Sequence, residues 1–405
     1  MSLSTASAIS STPAARRIAS DQEALDIART LAAEFARGAS QRDRDRQLPW
    51  TELEKLAASG LLAITVPREY GGIDVSAATL GEVSAILAEA DSSIGQIPQN
   101  HFYILEALRV DGTEAQKRFF FGRALAGDQF GNALSEIGTK NVGQQNTKIE
   151  PDGDSFRING RKFYSTGVLF ADWIVVFAND PEGRTTMSFL PHDAEGLTVL
   201  DDWSGFGQRT TGSGTTIVDN VRVDKDSIVE HQKGFDRPTT IGSLGQIIHA
   251  GIDLGIARAA LAETLDFVRN RARPWSDAGV ERASDDPLTI SIVGSLAIRL
   301  DAASALLAEA GRKVDTARRS LAEPDVIAAT IAVAGAKVLT TEVALAATNA
   351  LFELSGTRST LIEENLDRHW RNARTHTLHD PVRWKYHVVG NWVLNQVAPP
   401  RNGAL

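Results

Sequence analysis

Apolar residues recur every three to four positions over residues 21–37, where Ala24, Leu25, Ile27, Ala28, Leu31 and Phe35 would share one face. That is the period of an amphipathic helix, and Asp21 stands where a cap belongs. The period returns over 48–61, 77–90 and 101–110, with breaks at Gly60, Pro67 and Tyr70-Gly71-Gly72. Near Ala126 it changes. From 126 to 238, β-branched and aromatic runs alternate with turn residues, which predicts a compact all-β unit. Residues 156–160 read as a strand entering a turn and 173–178 as a fully apolar strand. Residues 215–218 and 221–223 read as strands flanking a turn at Asp219-Asn220. After Gly242 the helical period persists through long Ala-rich stretches, 251–271, 287–317, 324–353 and 372–395, as in a closely packed bundle.

The pattern predicts an α+β chain: a disordered head (1–20), an N-terminal helical domain (21–125), a middle β domain (126–238) and a C-terminal helical bundle (239–405). Hydrophobic residues make up 42% of the 405 positions, enough for a large core. A net charge of −9 without a basic block argues against nucleic acid. No apolar run reaches the ~20 residues of a membrane span. The Ser/Ala-rich head, with Arg16-Arg17, lacks the apolar stretch of a secretory signal; an organellar transit peptide is the alternative to a disordered head. A cytoplasmic protein follows. There is no cysteine, so disulfides and thiolate chemistry are excluded, and methionine occurs only as Met1 and Met187. Near-absence of sulfur fits a protein made when sulfur is scarce, or drift in an Ala-rich genome. No Gly-x-Gly-x-x-Gly fingerprint is present. No metal site is expected, because the His376/His379 pair lacks a carboxylate set.

Several segments together resemble the acyl-CoA dehydrogenase superfamily: 66–72 (Val-Pro-Arg-Glu-Tyr-Gly-Gly), 159–166 (Asn-Gly-Arg-Lys-Phe-Tyr-Ser-Thr) with Ala171-Asp172-Trp173, 206–213, 219–223, and Trp370-Arg371-Asn372-Ala373-Arg374. The resemblance covers nearly everything from Asp21 onward. It implies three domains in this order, with a β-barrel-like middle domain, a C-terminal four-helix bundle and a flavin between them. Two departures narrow it. Where the dehydrogenases place a Glu-Gly base, this chain has Asp380-Pro381, whose carboxylate reaches about 1.5 Å less far. Where they carry Arg-x-x-Phe-Gly for the adenosine half of FAD, it reads Arg271-Ala272-Arg273-Pro274-Trp275. Both departures are similar to the flavin monooxygenases on this fold, including the dibenzothiophene monooxygenases. Residues 96–103 and 202–211 are similar to the sulfur-acquisition oxidoreductases of that branch.

The resemblance implies a two-component monooxygenase acting on a small organosulfur compound. Reduced FMN, rather than FAD, would come from a separate flavin reductase, and the assembly would be a homotetramer. His379 is implied beside the flavin as proton donor or hydrogen-bond partner, with His376 nearby and His101 as a further active-site histidine. Tyr103 would line the same pocket. Asn132, Ser135, Tyr164, Thr166, Trp203 and Ser213 fall at flavin-facing positions, with Asn132 and Thr166 also counted as catalytic. Arg273, with Arg271, would hold the phosphate. Asp380 would fix a histidine's tautomer. The rival readings are an oxidase or dehydrogenase with Asp380 as base, and a non-catalytic partner that kept the scaffold.

Overall fold

A computed structural model describes residues 15–141 and 143–405. Residues 1–14 of the expected head lie outside the described residues, and 15–20 correct that expectation. Ala15 is buried, Arg16 N–H donates to the Ala58 carbonyl at 3.0 Å, and Ser20 caps the first helix through the Glu23 N–H at 3.1 Å. The cap is therefore Ser20 and not Asp21. Asp21 instead accepts from Ser76 and Thr79 at the start of another helix, where a carboxylate suits the helix dipole.

The N-terminal domain holds α1 (Asp21–Asp45), α2 (Trp50–Ala58), α3 (Ala77–Ala90), α4 (Ser92–Gln96), α5 (Gln99–Asp111) and α6 (Glu114–Ala126). The middle domain is one eight-stranded sheet: β1 (Phe130–Ala133), β2 (Lys148–Asp152), β3 (Ser155–Lys162), β4 (Trp173–Asn179), β5 (Thr185–Pro191), β6 (Leu197–Val199), β7 (Thr216–Asp224) and β8 (Ile228–Val229). Its order is β6-β7-β3-β2-β4-β5-β8, with β1 parallel to β4. No turn forms at Asp219-Asn220. Asn220 takes φ 53° inside a continuous β7, whose pairing with β3 shifts between Ile158 and Gly160. Asn tolerates that conformation, so the signal read as a turn marks a bulge.

Next come α7 (Gln232–Phe235), α8 (Ile241–Asn270), α9 (Pro287–Ser320), α10 (Glu323–Ser355), α11 (Asp367–His376) and α12 (Arg383–Asn395). The single helix expected over 372–395 is thus two helices. Pro381 lies in the gap, where its missing N–H cannot continue a helical ladder. His379 and Asp380 therefore sit on a turn.

The largest core joins α1 and α3 to α8, α9 and α10. Helices α3 and α8 touch backbone to backbone. A Cβ on Gly255 would lie 2.2 Å from the Ala85 carbonyl, and one on Gly251 would lie 2.3 Å from that of Gly81. Gly255→Ala should therefore cost about 1–3 kcal/mol through overpacking. An unchanged urea midpoint would show that the helices separate freely.

Two helices are longer and more apolar than the sequence runs suggested, though core helices commonly share that property. By length and composition α9 and α10 could each cross a bilayer. Most of α10 is buried against α8 and α9, whereas α9 exposes Leu288, Ile290 and Ile298.

Candidate active site

Strand β1 carries Asn132 into the interior, where its Oδ1 has no internal partner. The segment after it, with Ser135, is held by a buried ion pair. Glu136 accepts from Lys162 Nζ at 2.8 Å, from Thr147 N–H and Oγ1, and from Asn146 N–H; Lys162 also donates to the Leu134 carbonyl. Burial pushes Glu136 up, but Lys162 and the Thr147 and Asn146 donors outweigh it and hold the carboxyl at about 2. Beyond β3 the chain turns at Tyr164 (φ 65°) and Gly167 (φ 79°), packing the turn under the Ile97 carbonyl of the N-terminal domain. Tyr164 is half exposed, with Phe163 and Trp203 beside it at ring-centroid distances of 4.8 and 6.2 Å.

Thr166, Ser213 and Thr211 form a buried hydroxyl chain with two 2.7 Å contacts. The chain ends on the Gln208 carbonyl, which accepts from Thr211 Oγ1 at 3.1 Å and from Trp203 Nε1 at 2.9 Å. With Thr211 donating there, Ser213 donates to Thr211 and Thr166 to Ser213. Thr166 Oγ is left with a lone pair and no proton of its own to offer.

Gln208 ties the three domains together. Its N–H donates to Asn372 Oδ1 on α11 at 2.7 Å, and its Nε2 reaches the Ser92 carbonyl at 3.3 Å. Gly207 lies directly on the Arg371 carbonyl, and Phe206 stacks on Trp370. The β-domain loop bearing Trp203 and Ser213 is thereby fixed to the helix that ends at His376.

His376 and His379 do not share a helical face. His376 ends α11 and is buried, with Nδ1 2.5 Å from Asp253 Oδ1 and Nε2 3.1 Å from His249 Nδ1. His379, on the following turn, has its side chain 43% exposed. Its ring lies 4.1 Å from that of His249, and its Nδ1 donates to Asp380 Oδ2 at 3.2 Å. Gln246 Nε2 donates to the same oxygen at 2.8 Å. Each histidine of the pair thus has its own carboxylate, which corrects the sequence expectation. Burial pushes Asp380 up, but His379 outweighs it and holds the carboxyl well below the usual range. Beside Asp380 a cavity of about 400 Å³ is lined by Trp384, Lys385, Val388 and the C-terminal residues Pro399, Pro400 and Leu405. A larger cleft of about 760 Å³ lies between α1, α3, α8 and α11; Asp43, Glu82, Glu89, Asp91, Glu263 and Asp266 line it against Arg29, Arg258 and Arg368, and the excess of acids disfavours a phosphate there.

Other expected residues lie elsewhere. His101 is fully buried: Nε2 donates to the Leu62 carbonyl at 2.7 Å and Nδ1 accepts the Phe130 N–H at 3.0 Å. Both ring nitrogens are committed to backbone, and burial pulls the ring down to about 4. With both nitrogens so used, the histidine expected in the active site anchors β1 to the N-terminal domain. Tyr103 bonds His231 Nε2 at 3.1 Å. Arg271 is neutralised by Glu263, Asp266 and Glu364 and is not free for a phosphate. Arg273 stays exposed between α8 and α9 and forms no hydrogen bond with the cleft residues. Four buried residues escaped sequence reading: Gln246, His249, Asp253 and Lys337. A signal existed, since His249 and Asp253 lie one turn apart in an otherwise apolar stretch.

The acyl-CoA dehydrogenase family models match in order: the N-terminal domain over residues 20–128, the middle domain over 133–221 and the C-terminal domain over 247–384. The chain is 35% identical to a dibenzothiophene monooxygenase of Mycolicibacterium goodii, over 93% of this chain and 94% of the relative. It is 30% identical to the probable FMNH2-dependent monooxygenase SfnC of Pseudomonas putida, over 93% and 96%. Its fold superposes on the crystal structure of FMN-bound TdsC from Paenibacillus sp. A11-2 with a TM-score of 0.89, at 32% identity, covering 94% of this chain and all of that one. Three family domains in sequence, and relatives matched along almost their whole length, place the chain in the acyl-CoA dehydrogenase family, within its flavin-dependent monooxygenase branch.

Proposed function

We propose that the protein is an FMNH2-dependent monooxygenase that inserts one oxygen atom of O2 into a small organosulfur compound during sulfur acquisition. The observation that carries this reading is the set of unpaired polar groups around the domain junction, together with a half-exposed histidine held by a carboxylate that Gln246 also bonds. Asn132 Oδ1, Gln129 Nε2, Ser165 Oγ and Gln246 Oε1 are buried there without internal partners. Each unmet group costs about 1–3 kcal/mol. A flavin ring, with donors and acceptors along one edge, is chemically suited to them.

When bound, reduced FMN supplies the electrons that activate O2. The chain's own part is to orient and to manage protons. Tyr164 and Trp203 form an aromatic wall for a flat ring. Asn132, Ser135 and Thr166 address its polar edge. Thr166 Oγ, having given its proton to Ser213, accepts from an N–H, the group that distinguishes reduced from oxidised flavin. His379, aligned by Asp380 and Gln246, donates and retakes a proton where oxygen reacts.

The reading includes supply of FMNH2 by a separate flavin reductase, a cytoplasmic location and a homotetramer that covers the apolar face of α9. Arg273, remote from its own cleft residues, would serve the phosphate from a neighbouring copy. Supporting the sulfur substrate are the names of the relatives and the sulfur-poor composition, with no cysteine and two methionines.

The deciding experiment supplies chemically reduced FMN or FAD, isotopically labelled O2 and dibenzothiophene or smaller thioethers and sulfones. Mass spectrometry follows the label. One labelled oxygen in the product, with FMN outperforming FAD, is the expected result. A protein that retains FAD, incorporates no label and is reduced anaerobically by a nitroalkane or thioester would be an oxidase or dehydrogenase using Asp380.

The hydroxyl chain makes a second prediction. Ser213→Ala removes the acceptor for Thr166 and should weaken binding of reduced FMN about tenfold, the equivalent of roughly 1.4 kcal/mol. Binding of oxidised FMN should change less. Equal losses for both, measured by anaerobic and aerobic titration, would show that the chain does not sense the redox state.

A further inference from the structure

We propose that Asp253, His376 and His249 form a buried proton relay behind His379, so that the cleft exchanges protons with the helical bundle instead of with solvent. The inference deepens the reading above and rests on His379 as the group that handles the proton.

The hydrogen bonds fix the polarity of the relay. Asp253 Oδ2 accepts from Lys337 Nζ and from Thr341 Oγ1, the latter at 2.7 Å. Its Oδ1 faces His376 Nδ1 at 2.5 Å. An ionised carboxylate only accepts, so His376 carries its proton on Nδ1 and its Nε2 is an acceptor. His249 Nδ1, 3.1 Å away, must then donate to it. His249 is left with a bare Nε2, and its ring lies 4.1 Å from that of His379. Nitrogen and oxygen atoms of His249, His379 and Asp380 lie within 4.8 Å of one another, a span that one water bridges.

The path leads from the rim to the interior. His379 is 43% exposed as a side chain, whereas Asp253, His249 and His376 are 0%, 2% and 1% exposed as residues. A proton leaving His379 forms an N–H bond at His249 Nε2. The Nδ1–H of His249 breaks as a new bond forms at His376 Nε2, and the resulting imidazolium faces the Asp253 carboxylate. His379 loses an N–H bond, His249 gains one and breaks one, and His376 gains one to become the imidazolium; the reverse sequence returns the proton.

The charged and titratable groups facing the relay come from five elements: Asp253 on α8, Lys337 on α10, Asp380 on the α11–α12 turn, Lys385 on α12 and Tyr103 on α5. Burial holds both His249 and His376 below the usual imidazole value, in the case of His376 against the pull of Asp253, so the inner stations favour giving the proton back. A purely architectural network would need only hydrogen bonds, which amides satisfy. Two imidazoles in series can also pass a proton on. His249 and His376 are therefore positioning residues that act through His379.

The test uses the full-length, flavin-free protein with 15N-labelled histidine. NMR reads the tautomer of each ring and the titration of His379 directly. In the wild type, His249 and His376 should both be Nδ1–H tautomers, with a far-downfield proton on His376. His249 in the Nε2–H form would overturn the relay without any variant. His376→Asn keeps a donor for Asp253, and so keeps the buried Lys337 charge compensated, but cuts the link to His249. The His379 midpoint should then move by about one pH unit; an unchanged midpoint in the folded variant would also overturn the relay. Oxygen transfer with contrary tautomers removes the relay alone. The expected tautomers without oxygen transfer remove the functional reading and leave the relay standing.

Discussion

Lowering the pH from about 7 to about 5 should remove several kcal/mol from the unfolding free energy of the flavin-free chain, with about 1–2 kcal/mol for each strongly depressed buried histidine. Burial pulls His101 and His231 down to about 4, and it pushes His249 and His376 in the same direction. In the unfolded chain these rings titrate near 6.5. Between the folded and unfolded values the unfolded state binds more protons, so stability rises with pH across that window and is lost as pH falls through it. Asp253 does not offset this. Burial pushes Asp253 up, but Lys337 and His376 outweigh it and hold the carboxyl well below its ordinary value. Its stabilising contribution is therefore present above the unfolded value near 4 and is lost only at lower pH. Urea denaturation at a series of pH values checks this. A flat profile between the two pH values would mean that the histidines are solvated in solution.

Replacing His379 with asparagine should have the largest effect on turnover. A positioned proton donor contributes about 10²- to 10⁴-fold, so coupled oxygen transfer should fall at least about 100-fold. Hydrogen peroxide release per reduced FMN should rise as oxygen is wasted. Binding of FMN should change little, since Asn132, Ser135, Thr166 and Ser213 are untouched. Asp380→Asn keeps a partner for His379 and Gln246 and should cost less. If Asp380→Asn proved the more damaging of the two, Asp380 would be the base and the oxidase reading would gain.

The sequence made the order of domains legible because hydrophobic period changes at the boundaries and is a local property. Helix α3 and strand β4 fall where their periodicity predicts. The failures share a physical cause, which is that tertiary partners overrode a local signal. Asp219-Asn220 looks like a turn, yet β3 on one side and β6 on the other keep β7 extended through it. Residues 372–395 carry one helical period, but the stretch breaks around Pro381, and the break is what brings His379 to a surface. The candidate site divides similarly. Thr166, Ser213 and Trp203 are joined through Gln208. His101 needed coordinates to separate a backbone anchor from a proton donor, since both uses favour a histidine in an apolar stretch. Lys337 is the only cation in α10, which is a sequence signal, but its partner lies 84 positions away on α8.

Gln208 has a mechanical consequence. One residue spends its amide N–H on the C-terminal bundle, its side-chain amide on the N-terminal domain and its carbonyl on the loop that carries Trp203 and Thr211. No domain can swing away without breaking a bond that also shapes the hydroxyl chain. Hinge opening of the whole molecule would therefore break the bonds from Gln208 to both helical domains at once.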